Sequence, residues 1–191
     1  MKRLILASAS PRRAQLLRQI GQPFEIVKSD YPEPPLSDEK MVEAIALAKA
    51  RSVQKRYPGD LILGADTIVV RGTKILGKPR SEAEAAAMLQ SLSGQSHRVL
   101  TSIALLQGNR SLTAKEETRV WMRSFTGTEI HAYIATGEPL DKAGSYGIQG
   151  QGAVFVERIE GCYFNVVGLP LARLALMFCE LGWPLWHKGG D

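Results

Sequence analysis

The most apolar stretch of the chain, Leu61-Ile-Leu-Gly-Ala-Asp-Thr-Ile-Val-Val70, carries an aspartate at its centre. An unpaired carboxylate in such surroundings is costly to bury. Either a cation lies against Asp66, or the strand ends there and offers it at a sheet rim, where open α/β sheets bind ligands. An acid so placed is a candidate functional group; its ordinary alternative is a carboxylate capping a turn through Thr67. Thr67 can orient a ligand group or simply supply β-propensity.

Ser8-Ala-Ser-Pro-Arg-Arg13 reads as the end of a strand, a tight turn and a helix start. Helix N-termini offer unpaired N–H groups and a positive dipole end. Arg12 and Arg13 oppose that dipole unless an anion is shared, and guanidinium groups match phosphate oxygens well. Solvated surface arginines are the plain alternative. Lys49 continues the apolar face of its helix, where its ordinary role is a snorkelling stem. Lys78 sits in the turn-like Gly77-Lys-Pro79, as an exposed loop lysine or an anion contact. Glu33 lies in a Pro-rich loop and is either solvated or, with Asp66, a hard-oxygen ligand for a divalent cation. Gly144-Ser-Tyr-Gly-Ile-Gln-Gly150 is a flexible connector, or brings backbone and Gln149 close to a ligand.

Cations and anion-binding turns around one or two carboxylates suit metal-assisted hydrolysis of a phosphoanhydride. Oxygen ligands hold the metal, Arg and Lys spread the phosphate charge, and a carboxylate activates water. The chain contains no Walker A, HExxH, G-x-S-x-G or Rossmann motif, and its three histidines form no ligand spacing.

These residues need elements to hold them. Apolar runs and turn signals predict strands at 3–9, 61–70, 98–106, 112–122 and 153–159, the third and fourth joined by a hairpin at Gln107-Gly-Asn-Arg110. Helices are expected at 11–20, with Ser10 as N-cap and Gly21 as stop, and at 37–56, with Val42, Ile45, Ala46, Lys49 and Val53 on one face. Others are expected at 81–92 and 126–136, both opened by capping boxes, and at 170–181. Residues 137–152 form a glycine-dense loop. The alternation predicts an α/β domain with a mixed twisted sheet flanked by helices.

With 191 residues, 45% of them apolar and 23% charged, the chain reads as one globular domain over 1–191. No apolar run approaches the length of a membrane helix, and the signal-like start is cut short by Pro11, Arg12 and Arg13. Two cysteines, Cys162 and Cys179, are too few for a disulfide scaffold; they point to the cytoplasm and to buried thiols. The net charge of +5 suits a polyanionic partner. No aromatic-interleaved basic platform supports nucleic acid as that partner. The terminal 187–191 reads as a frayed end.

Several blocks in order resemble the Maf-like nucleoside triphosphate pyrophosphatases, a family once described as septum-formation inhibitors. They are LASASPRR at 6–13, the Glu33 loop, Lys49-Ala-Arg51, GADTIVV at 64–70 and GKPR at 77–80. They continue with LSGQSHRVLT at 92–101, ETRV at 117–120, DKAGSYGIQG at 141–150 and NVVGLP at 165–170. The resemblance implies a fold related to the inosine triphosphate pyrophosphatases, in a cytoplasmic homodimer without membrane or stable nucleic-acid partners. It implies that a nucleoside triphosphate is split into monophosphate and pyrophosphate with Mg²⁺ or Mn²⁺. Asp66 would be the proton acceptor, and Glu33 would assist with metal or water. Arg13, Lys49 and Lys78 would neutralise the triphosphate, with Ser8 donating to it. Arg12, Thr67 and Gln149 resemble the subgroup acting on dTTP and UTP; the 7-methyl-GTP subgroup typically carries Trp, Gln and Glu there. The alternatives are a 7-methyl-GTP or broader modified-nucleotide pyrophosphatase and a non-catalytic nucleotide- or nucleic-acid-binding regulator of septum formation.

Overall fold

The structure is a computed structural model that describes residues 2–32 and 34–186. Its strands are β1 (Leu4–Leu6), β2 (Glu25–Ile26), β3 (Leu61–Arg71), β4 (Lys74–Leu76), β5 (Ser96–Gln107), β6 (Arg110–Met122) and β7 (Val156–Glu160). They form one mixed sheet in the order β2-β1-β3-β5-β6-β7, with β4 pairing the far end of β3. β1 is parallel to β2 and β3, and the other pairs are antiparallel. The helices are α1 (Pro11–Gln19), α2 (Met41–Gln54), α3 (Glu82–Leu92), α4 (Gly127–Ile134), α5 (Tyr163–Val167) and α6 (Leu171–Leu181).

Strand alternation sorts the core into layers. Leu4, Leu6, Leu61, Leu63 and Ala65 face α1 and α6, where they meet Leu16, Leu17, Leu174 and Phe178. Ile5 and Ile62 face α2 and meet Ala46, Ala50 and Val53. A third cluster joins α3 and α4 through Leu89, Leu92, Ile130 and Phe155. β3 is buried on both faces, which explains its near-continuous apolar run. Gly64 lets α2 lie close against it: a Cβ there would collide with the Ala46 carbonyl oxygen and reach the Ala50 Cβ and N at 2.9 Å.

The expected α/β layering is present, with local differences. The first strand is shorter than expected, because the chain leaves the sheet after Leu6 to turn into α1. α2 starts at Met41, not at residue 37, because Asp38 accepts from the Lys40 N–H in a turn that precedes it. β7 starts at Val156, since 151–155 coil into a 3₁₀ turn. Ser10 stands at the N-cap of α1 but makes no capping bond with its side chain. Ser81 accepts from Glu84 N, whereas the Glu84 carboxylate takes Arg80 N, so only half of that box forms. The Thr126–Glu129 box is complete. The thiols are not buried as expected: Cys162 is half-buried on the turn before α5, and Cys179 is exposed on the outer side of α6. The terminal 187–191 lies outside the described residues. No helix among the described residues is long and apolar enough to cross a membrane.

Candidate active site

A gap in the sheet makes the site. β1 pairs with β3 only as far as Leu6 opposite Leu63, and β4 begins pairing at Leu76 opposite Val69. Between those points the β1-side edge of β3 has no strand partner among the described residues, while β5 pairs the other edge throughout. Leu61 N–H donates to Arg3 O on the β1 side, and Leu63 O accepts from Ala7 N. By the two-residue period, Ala65 and Thr67 turn their backbone groups toward the same edge. The gap opens into a cleft of about 580 Å³, within the roughly 300–1,000 Å³ common for small-molecule sites. It lies beyond the carboxyl end of β1, where α/β sheets bind ligands.

Adjacent residues on β3 reach this cleft from opposite faces of the sheet. Asp66 points to the α2 layer, and Lys49 Nζ donates to its Oδ1 at 2.7 Å. The two residues are only 9% and 7% exposed, so the pair is held away from bulk water, where charge attraction is strong. Of the two alternatives for Asp66, the cation is the one realised: the strand runs on to Arg71, and Lys49 is buried against the acid rather than snorkelling. Thr67 points to the α1 layer. Arg13, 9% exposed, donates from Nη2 to Thr67 Oγ1 at 3.0 Å, from Nη1 to Ser8 Oγ at 3.1 Å and from Nε to Gly168 O at 2.8 Å. Arg13 is thus held by Ser8, Thr67 and Gly168 among the described residues and is no solvated surface arginine.

Ser8, Arg12, Arg13, Lys49, Asp66, Thr67 and Lys78 all line the cleft. Among the described lining residues, Arg12, Arg13, Lys28, Lys49 and Lys78 oppose the carboxylates of Asp66 and Asp141. Cations thus outnumber acids among the described lining residues, which suits an anionic ligand. The start of α1 adds its unpaired N–H groups, with Ser10 and Pro11 on the wall. Glu33 lies outside the described residues.

Gln149 does not line this cleft. It lines a smaller adjoining slot of about 50 Å³ with Val69, Val99, Ile148 and Val166, and the slot shares Arg12, Thr67, Ala143 and Val167 with the cleft. The loop carrying Gln149 is no flexible connector. The Glu138 carboxylate accepts from Gln151 N at 2.8 Å, Gly152 N at 3.2 Å and the Tyr133 hydroxyl at 2.8 Å. Burial pushes the Glu138 carboxyl up, but these bonds to its charged form hold it below the usual carboxylate range.

Sequence reasoning missed several contributors. Asp141 takes Lys142 Nζ at 2.6 Å and Arg12 Nη1 at 3.5 Å. Burial opposes its ionisation, and these two cations outweigh that to lower its pKa. Lys28 and Tyr31 join the wall from the loop after β2. Behind Thr67 stand Thr101 and Asn165, both fully buried. Their signal was a polar residue inside an apolar strand and an Asn opening a glycine-ended turn, a weaker hint than a buried charge.

A family model described as Maf-like protein matches residues 3–181. The chain belongs to the Maf family. Among relatives it is similar to a dTTP/UTP pyrophosphatase of Gloeobacter violaceus, with 54% identity covering 93% of this chain and 95% of that protein. It is 52% identical to a dTTP/UTP pyrophosphatase of a Geobacillus species, covering 96% and 100%. A third, from Symbiobacterium thermophilum, is 50% identical over 99% of both chains. In fold it is similar to the Staphylococcus aureus Ham1 protein, with TM-score 0.52, 13% identity and coverage of 95% and 100%. In this Maf protein the Asp66–Lys49 pair and the Arg13–Thr67 contact are therefore two faces of one β3 dipeptide.

Among the described residues no group of three or more His, Cys, Asp or Glu side chains is placed to hold a metal ion. The cleft nevertheless fits a hard divalent cation of the kind that uses one or two carboxylates, waters and substrate phosphates. Asp66 presents a carboxylate with one oxygen on Lys49, and the cationic wall would bring phosphate oxygens beside it.

Proposed function

We propose that this chain hydrolyses dTTP and UTP to the nucleoside monophosphate and pyrophosphate. The observation that carries the reading is the buried Asp66 carboxylate, held by Lys49 at 2.7 Å on the wall of a cleft rich in Arg and Lys. Such a wall neutralises a triphosphate, and phosphoryl chemistry rests on positioning and charge neutralisation. Asp66 accepts a proton from water as the water oxygen bonds to phosphorus. The α–β phosphoanhydride bond breaks, and pyrophosphate leaves with the bridging electron pair. Arg13, Lys49 and Lys78, with Ser8, bind and orient the phosphates. Arg12, Thr67 and Gln149 meet the nucleoside end, where the smaller slot accommodates an edge of the base. Asp66, together with Glu33, would hold a divalent cation, which would supply Lewis-acid charge neutralisation. Its identity as Mg²⁺ or Mn²⁺ is part of this proposal, as are the homodimer and a cytoplasmic location.

Support for the pyrimidine preference comes from the names of the relatives, from Arg12 and Thr67 on the wall shared by cleft and slot, and from Gln149 in the slot. The test is pyrophosphate release from dTTP, UTP, 7-methyl-GTP and GTP, with and without added Mg²⁺ or Mn²⁺. The expected result is metal-stimulated turnover of dTTP and UTP, lowered by about 100-fold or more in D66N with the fold retained. Equal rates on 7-methyl-GTP would overturn the subgroup, activity persisting in excess chelator would overturn the metal, and full activity of D66N would overturn the mechanism. Nucleotide binding without turnover would favour a regulator.

A further inference from the structure

Thr67 does not stand alone: its hydroxyl begins a chain that ends deep under the sheet. Arg13 Nη2 donates to Thr67 Oγ1 at 3.0 Å, Thr67 Oγ1 lies 2.9 Å from Thr101 Oγ1, and Thr101 Oγ1 lies 2.9 Å from the Asn165 carbonyl oxygen. A guanidinium can only donate and a carbonyl can only accept, so the two ends fix the protons between them. Thr101 has one proton. If it goes to Asn165 O, the Thr67 proton goes to Thr101, and all three contacts are hydrogen bonds. If Thr101 donated to Thr67 instead, two bare oxygen atoms would face each other at 2.9 Å in a fully buried place. The first order keeps one more buried bond and is the stable one.

The far end of the chain is locked. Asn165 is fully buried, and its Nδ2 donates to Val99 O and Thr118 Oγ1, each at 2.9 Å. Its carbonyl also accepts from Gly168 N at 3.0 Å. The acceptor that captures the Thr101 proton therefore has no alternative position.

The geometry points to Thr101 as a positioning residue that fixes Thr67 as a hydrogen-bond acceptor toward the cleft, so that Thr67 selects an N–H on the nucleoside base. Resting on the function proposed above, this assigns the Thr67 lone pair to the imide N3–H of uracil or thymine. Cytosine presents a lone pair at N3 and meets repulsion instead. Phosphate oxygens are likewise poor partners for Thr67, which leaves the triphosphate to Arg13, Lys49 and Lys78. Thr67 lies on the wall shared by the cationic cleft and the smaller slot that adds Val69, Val99, Ile148 and Val166, where such a division would fall.

The test measures binding by calorimetry of the uridine and cytidine 5′-(α,β-imido)triphosphates to the whole chain, alongside pyrophosphate release from UTP and CTP. The wild type is expected to favour the uridine analogue. Thr101→Val keeps the volume but removes the proton acceptor, which frees the Thr67 hydroxyl to donate. The uridine-to-cytidine affinity ratio should then fall about tenfold, the worth of one hydrogen bond, and Thr101→Ser should restore it. A structural defect alone would weaken both analogues together and leave the ratio unchanged, and that result overturns the inference. Should Thr101→Val fail to fold, Thr67→Val decides: it removes the lone pair, and an unchanged ratio there also overturns the inference. Failure of both analogues to bind the wild type, with no release from UTP, would sink the proposed function and this inference together. Release from UTP with an unmoved ratio sinks the inference alone.

Discussion

Replacing Gly64 by Ala tests the packing that sets the Asp66–Lys49 pair. The added Cβ would overlap the Ala46 carbonyl oxygen and stand 2.9 Å from both Ala50 N and Ala50 Cβ. Ordinary contact begins at 3.4 Å, so α2 must withdraw by at least about half an ångström, and by more to clear the carbonyl. Two of the three obstructing atoms are backbone and cannot rotate aside. Overpacking costs about 1–3 kcal/mol, and the rigid obstacle argues for the upper end of that range. The same withdrawal carries Lys49 away from Asp66, and a displacement of about 1 Å at a reacting centre can cost about 100-fold in rate. Urea unfolding should show a lower midpoint with an unchanged slope, and pyrophosphate release should fall further than stability alone explains. Adding Ala50→Gly removes one of the three contacts at a helix-propensity cost of about 1 kcal/mol, so it should rescue little. Wild-type stability and rate in G64A, or full rescue by A50G, would refute the account.

Other consequences are as direct. His97 is buried, its Nε2 lies 2.7 Å from the Tyr146 hydroxyl, and burial lowers its pKa from 6.5 to about 4. The unfolded chain therefore binds a proton that the folded one refuses as pH falls from 6.5 to 4. The His97 contribution to stability should drop by about 3 kcal/mol across that window and no further below it; His97→Gln should flatten this part of a urea-unfolding pH series, and an identical slope would contradict the reading. At Gly150 a Cβ would strike the Glu138 carboxylate that ties down the loop. Gly150→Ala should cost about 1–3 kcal/mol, speed proteolytic nicking near residues 147–152 and raise KM for UTP more than it lowers kcat. Intact digestion patterns with a normal KM would remove Glu138 from its role as an anchor.

The layering was legible because its signals are local. Period-two and period-3.6 apolar patterns, the Gly108–Asn109 hairpin turn and the Thr126–Glu129 box all report on their own neighbourhoods. What escaped depends on distant partners. β2 is two exposed residues defined only by pairing with β1, and β4 is three residues folded back on β3 after Gly72, whose φ is +58°. Asp66 announced itself as a charge in an apolar run, and the need for a cation followed from that cost. That the cation is Lys49, seventeen residues away in sequence, needs α2 laid over Gly64. The Gly-rich loop looked slack because glycines carry no side-chain signal. In space they surround Glu138, which reads in sequence as an ordinary surface acid.

The missing partner along the middle of β3 has a corollary. Neighbouring side chains on a strand normally belong to separate worlds, but the interruption lets 66 and 67 line one cleft while each stays rooted in its own layer. Under the roles proposed above, turnover and substrate choice would rest on separate layers, although one peptide bond joins Asp66 and Thr67.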